Sequence, residues 1–171
     1  MPSDKDEFFR ACINNGLIVD ANLFLLLAFG TSHKRTDGMD EEMVITKSIA
    51  TYCSDKGGKL ILTPHVIAEV SNMLINRQKG FDFAGNTNFI ILTNFLREAF
   101  EHPVPKSLIL DNKHLAYVGF TDLSILEAAK ENNYGVLTVD GGLYTKLCDE
   151  GCYVVDPKAI AKAKSLRLLM S

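Results

Sequence analysis

No stretch of this sequence is apolar for long enough to cross a membrane. The longest apolar run, Leu23–Phe29, falls far short of the roughly 20 residues a spanning helix needs. A secretory signal is also lacking: the first residues read MPSDKDEFF, polar and acidic, where a signal would show positive charge and then an apolar stretch. The expectation is a cytoplasmic protein. No internal repeat and no low-complexity segment is present. Cysteine is sparse, and the nearest pair, Cys148 and Cys152, lacks the C-x-x-C spacing of a zinc or redox site. Cys12, Cys53, Cys148 and Cys152 therefore read as reduced, mostly buried thiols. An excess of positive charge is missing as well. A net charge of −3 argues against coating nucleic acid through a broad basic face. It leaves room for an enzyme whose carboxylates hold metal ions, because such ions offset the charge locally.

What is there fits one soluble domain spanning residues 1–171. The chain is 47% hydrophobic and 23% charged, and 171 residues are enough to bury a core without staples. A first helix is expected over Ser3–Asn15, with Ser3 and Asp6 as a capping arrangement and Gly16 as its stop. LIVD, Leu17–Asp20, reads as a buried strand, followed by a helix over Asn22–Phe29 that ends at Gly30. Thr31–Met39 is a polar loop. Asp40 caps a helix reaching about Asp55, which Gly57-Gly58 ends.

Lys59–Thr63 is a second strand. Thr63 then serves as cap, with Pro64 at the first position of a helix. That helix carries the stripe Val66, Ile67, Val70, Met73 and Leu74 and ends near Gly80. A further helix is expected over Thr87–Glu101, before Pro103 and Pro105 break the chain. Lys106–Gly119 fits a strand or a short helix. Thr121 caps a helix over Asp122–Asn133. Gly135–Val139 is a third strand, running into Asp140. A helix over Leu143–Glu150 and a fourth strand over Cys152–Asp156 follow. Pro157 opens a basic helix with Lys158, Lys162, Lys164 and Arg167. Short apolar strands alternating with helices imply a parallel sheet covered on both faces, a three-layer α/β/α domain with right-handed crossovers.

Open parallel sheets place functional residues at the carboxyl ends of their strands. Asp20 and Asp140 each follow a strand, so both fall on that edge. Glu69 lies about two turns into the helix after the second strand and can reach back over it. Asp122 opens a helix after a Gly-Phe-Thr turn. Each acid alone has an ordinary structural reading, as a helix cap, a solvated helix face or a partner of the helix dipole. Their joint placement carries the functional one. Carboxylates brought together repel and raise one another's pKa values, and a hard divalent cation such as Mg²⁺ or Mn²⁺ removes that cost. Phosphodiester hydrolysis is the chemistry such a site serves. Asn22 and Thr138 are candidate supporting residues that could bond a ligand carboxylate or a metal-bound water.

In order along the chain, LIVDANLFLLL, LTPHVIAEVSNML and GFTDLSILEAAKENNYGVLTVDGGLYTKL resemble the PIN domain family of ribonucleases. The similarity runs from about Leu17 to Asp156. It implies a sheet ordered 3-2-1-4-5 and an acidic quartet of Asp20, Glu69, Asp122 and Asp140 binding Mg²⁺ or Mn²⁺, with Asn22 and Thr138 as polar neighbours. It also implies an RNA substrate. Many small stand-alone members are toxins of toxin–antitoxin pairs, often homodimers inhibited by an antitoxin peptide, so an antitoxin or regulatory partner and a homodimer are implied too. This chain is longer than many such toxins, with its excess at Thr31–Met39 and Phe81–Gly119, and defence and RNA-processing nucleases use the same domain.

Other classes compete. The fold could serve a non-catalytic protein- or RNA-binding module. An aspartyl-phosphate phosphatase would also place an Asp after the first strand, but usually as Asp-x-Asp, where this chain has Asn22. Ser32-His33-Lys34-Arg35 could contact phosphates or be a solvated loop. The C-terminal basic helix could bind RNA or a partner, or be a solvated face, and Ile160, Leu166, Leu168 and Leu169 suggest docking in a dimer. His65, one turn before Glu69, fits packing or capping better than substrate contact. His33, His102 and His114 form no ligand pattern.

Overall fold

A computed structural model describes residues 5–29, 39–77 and 87–162. Its elements run α1 (Lys5–Asn14), β1 (Leu17–Val19), α2 (Ala21–Phe29), α3 (Met39–Asp55), β2 (Leu60–Leu62), α4 (Pro64–Arg77), α5 (Thr87–Glu98), β3 (Phe100–Glu101), α6 (Lys106–Leu110), α7 (Phe120–Asn132), β4 (Gly135–Leu137), α8 (Gly141–Asp149) and β5 (Tyr153–Val155). The five strands form one parallel sheet in the order β3-β2-β1-β4-β5. Helices flank it, giving the three-layer α/β/α architecture. Among the described residues, no helix is long and apolar enough to cross a membrane.

The strands read as unbroken apolar runs because both faces of the sheet are covered. Every residue of β1 and β4 is buried. β1 lies at the centre, with Leu17 opposite Leu60 on one side and Gly135 on the other. α1 packs on β1, β4 and β5, whereas α7 packs on β4 and meets α4, α6 and α8. α2 joins α3, α4 and α5. One continuous core results, with Phe8, Phe24, Leu92, Leu126 and Leu147 among its fully enclosed side chains.

Several boundaries differ from the sequence expectation, each for a local reason. The helix expected to reach Glu101 stops at Glu98, and Phe100–Glu101 become the edge strand β3, paired with Ile61 and Leu62. The His102 N–H extends this pairing to the Leu62 carbonyl. Both residues of β3 are exposed, so no apolar pattern marked it. The ambiguous stretch after Pro105 forms the short helix α6 and then turns. α7 begins two residues earlier than expected, capped by Gly119 rather than Thr121. β4 ends at Leu137, two residues short of Val139. Pro157 does open a helix, described over residues 157–162. Ser3, the loop at 31–38, Gly80, Lys164, Leu166, Arg167, Leu168 and Leu169 lie outside the described residues.

All four cysteines are free, Cys12 and Cys53 buried and the other two half-buried. Cys12 on α1 hydrogen-bonds Cys53 on α3, which pushes the Cys12 thiol up and draws the Cys53 thiol down. A separation of 41 positions hid this pair.

α1 can sit this close only because two glycines present no side chain. A Cβ at Gly135 would stand 2.2 Å from Cys12 Sγ. At Gly58 it would meet the carbonyl oxygens of Cys12 and Cys53, each at 2.8 Å. Gly135→Ala should therefore cost about 1–3 kcal/mol in urea unfolding, and much of that should return in the Cys12→Ala/Gly135→Ala double variant. Gly58→Ala should cost at least as much and gain nothing from Cys12→Ala, since the obstruction there is backbone.

Candidate active site

Asp20 follows β1 directly and caps α2: the Leu23 N–H donates to its Oδ1 at 2.8 Å. Its Oδ2 accepts from Thr138 Oγ1 at 2.6 Å and from the Val139 N–H at 3.1 Å. The carboxyl group is only 5% exposed, so three donors hold it in one orientation. Burial raises its pKa most, with a further push from Asp140, while the bonds from Leu23, Thr138 and Val139 act the other way.

Asp140 repeats the pattern one strand over. It caps α8 by accepting from the Leu143 N–H at 2.9 Å. Its own N–H donates to Thr138 Oγ1 at 3.0 Å. The Thr138 hydroxyl thus receives one bond from Asp140 and gives one to Asp20, coupling the ends of β1 and β4.

Glu69 and Asp122 come from α4 and α7. Thr63, at the cap of α4, accepts from the Val66 N–H. Ser124 donates to the Thr121 carbonyl, which leaves its oxygen to accept from the Thr63 hydroxyl at 2.7 Å. A buried hydroxyl pair therefore fixes where the two helices start relative to each other. Of the five buried polar residues described, Asp20, Thr63, Ser124 and Thr138 belong to these two tie points, and the fifth, Thr46, bonds its own helix. Buried polar groups are the informative exceptions in a core, and here they underlie the cleft.

All four acids line one cleft of about 220 Å³ at the carboxyl edge of the sheet, with Ala21, Asn22, Gly119, Phe120, Thr121 and Ile125. Asn22 is exposed, and its side chain makes no hydrogen bond to another described residue. His65 is not part of the lining, and its Nδ1 is buried without a hydrogen-bond partner. A larger cavity of about 540 Å³ opens at the opposite end of the strands, beside Leu17, Gly58 and Leu60. Its charges are mixed, Lys47 and Lys59 with Asp55 and Glu98, whereas the smaller cleft concentrates one sign.

Among the described residues, no ion pair compensates that concentration. Asp122 sits in the first turn of α7, where the helix dipole favours a carboxylate. Its pKa is nevertheless pushed up to about 6, by burial first and then by Asp140, Glu69 and Asp20. Among the described residues, no three His, Cys, Asp or Glu side chains are drawn tightly enough together to hold a metal ion as they stand. Unscreened carboxylates keep apart, and Asp20 and Asp140 are each tied to a backbone N–H. The Glu69 and Asp122 side chains carry no hydrogen bond or ion pair to another described residue. The donor set is all oxygen, the kind hard divalent cations take.

The folded chain holds the Asp122 proton more tightly than the unfolded chain does. Ionising it therefore costs stability as pH rises from 3.8 through about 6. Asp122→Asn should raise stability at pH 7.5 by about 1 kcal/mol, after allowance for solvent screening of this half-buried group. The gain should shrink as pH falls through about 6 and vanish below about pH 3, where the carboxyl is protonated in the folded and unfolded chain alike. Thermal unfolding of both proteins across that range measures it.

No family model matches the sequence, and no curated protein matches it. Among solved structures, the chain is similar to PAE2754 from Pyrobaculum aerophilum, known from a crystal structure. The two share 18% identity and superpose with a TM-score of 0.54, over 100% of this chain and 99% of that one. At that identity the likeness is one of fold.

Proposed function

We propose that this chain is a metal-dependent nuclease of the PIN type, a hydrolase that cuts RNA phosphodiester bonds in the cleft of Asp20, Glu69, Asp122 and Asp140. The observation that carries the reading is the meeting of four carboxylates, from four separated segments, in one cleft with no described cation beside them. A structural role would favour a paired or solvated acid. Here burial and mutual repulsion lift Asp122 to about 6, a strained state that added positive charge relieves.

Asp20, Glu69, Asp122 and Asp140 would hold Mg²⁺ or Mn²⁺, which when bound supplies charge compensation for a phosphate and Lewis acidity toward its oxygens. The protein's part is positioning. Asp20 is fixed by Leu23, Thr138 and Val139, and Asp140 by Leu143, so two ligand groups need little ordering when an ion arrives. Asn22, exposed on the lining, offers a neutral amide that can bond a phosphate oxygen or a ligand carboxylate.

Asp20 is a poor residue to mutate first. Asn in its place would aim an NH₂ group at donors that need an acceptor, so lost activity could reflect lost structure. Asp122 and Asp140 are better. Labelled single-stranded RNA and DNA, incubated with Mg²⁺, Mn²⁺ or EDTA, should show cleavage of RNA that requires the cation. Asp122→Asn and Asp140→Asn should each lower the rate by at least about 100-fold while leaving the circular dichroism spectrum unchanged. Cleavage that persists in EDTA, or in both variants, would refute the assignment.

A further inference from the structure

Most large apolar side chains of the described chain are inside, but Tyr117 is 85% and Phe120 57% exposed. Single exposed aromatics are ordinary. These two are set apart by where they stand. Phe120 belongs to the wall of the acidic cleft, together with Gly119, Thr121 and Asp122. Tyr117 lies three residues earlier, so the two Cα atoms are at most about 11 Å apart. Between them, Gly119 faces open space, with nothing within 4 Å of where a Cβ would be. A flat ligand can therefore approach the backbone there.

The segment that displays Tyr117 is held in place. Asn112 accepts from the His114 N–H at 2.7 Å and donates to Glu127 on α7. Lys113 and His114 both reach Glu150, at the end of α8. The Tyr117 N–H donates to the His114 carbonyl at 2.9 Å. Leu115 and Val118 pack against the core on either side. Tyr117 is thus carried outward on a turn whose backbone is held in place.

We propose that Phe120 and Tyr117 form a base-stacking subsite beside the cleft, on which unpaired bases of a nucleic-acid strand lie while the adjoining phosphate enters among the acids. The proposal rests on the nuclease reading for the phosphate and adds the residues that seat the base. Stacking suits this molecule because it needs no positive charge. The net charge is −3 and the cleft itself is acidic, so π faces beside it add a hold on the strand that does not depend on a basic track. A duplex keeps its bases stacked on one another and cannot use such a platform.

The chain contains no tryptophan, so Phe120→Trp introduces a single fluorescent reporter at the cleft wall. It would be titrated with a 2′-O-methyl single-stranded oligonucleotide and with the duplex of the same sequence, in Mg²⁺. The expected result is saturable quenching by the single strand and little by the duplex. In the reporter background, Tyr117→Ala should weaken binding by roughly tenfold, and Tyr117→Phe, which keeps the ring, should restore it. In cleavage assays, Tyr117→Ala and Phe120→Ala should raise KM by a similar factor with kcat changed less than about twofold.

Absence of quenching, or equal quenching by duplex, overturns the subsite. Wild-type cleavage with unaltered KM in both alanine variants overturns it while leaving the nuclease reading in place. Quenching with the expected Tyr117 dependence, but no cleavage by wild type, keeps the subsite and removes the nuclease reading. If light scattering shows a dimer that either alanine variant splits, the rings belong to a protein interface and the proposal falls.

Discussion

The buried hydrogen bond from Thr138 Oγ1 to Asp20 Oδ2, 2.6 Å long, joins the chain just after β1 to the chain just after β4. Parallel neighbours in a sheet can be far apart in sequence, and here 118 positions separate the two residues. Because the same hydroxyl accepts from the Asp140 N–H, one side chain sets the spacing of two acids. Removing it would leave a carboxyl group at 5% exposure short of a donor, a cost of about 1–3 kcal/mol or more for a charged group. The Thr63–Ser124 pair does the equivalent work for α4 and α7. The cleft is thus a property of the sheet edge and two hydroxyl ties.

This rigidity works against the charge it assembles. The ties keep Asp20 and Asp140 at the same edge, and burial denies Asp20 and Asp122 full solvation. The raised pKa of Asp122 is the visible consequence. A fold gains nothing for its own stability from such an arrangement, since an isolated apolar residue at position 122 would avoid both burial of charge and repulsion. Function is the natural counterweight: a pocket short of positive charge binds cations more strongly the more its ligands are held in advance.

Much of this architecture was legible in the sequence. LIV and GVL could be read as strands because burial on both faces demands unbroken apolar residues, and Thr63-Pro64 announced α4 because a hydroxyl cap and a fixed φ start a helix well. Asp20 and Asp140 could be placed at one edge from strand polarity, Glu69 from its position on the helix after the second strand, and Asp122 from the turn that opens its helix. The family resemblance supplied the strand order, which the structure has. β3 was hidden because its two exposed residues carry no pattern, and the start of α7 was missed because Gly119 caps without a side chain. Thr138 was found by its place beside Asp140. Ser124 was not, since a serine among Leu123, Ile125 and Leu126 looks like a tolerated small residue until Thr63 is seen against it. Phe120 likewise passed as one more apolar residue, because only the folded chain turns it toward the cleft.

Calorimetric titration with Mn²⁺ at pH 6 and pH 8, in buffers of different ionisation enthalpy, tests most directly whether the four acids act as one cation site. The account expects saturable binding to the wild type at both pH values. At pH 6 binding should release about half a proton, because Asp122 is then near its midpoint, and at pH 8 almost none. Asp122→Asn should bind more weakly and lose the release at pH 6. No saturable heat at either pH, or binding that neither Asp122→Asn nor Asp140→Asn alters, would contradict the account.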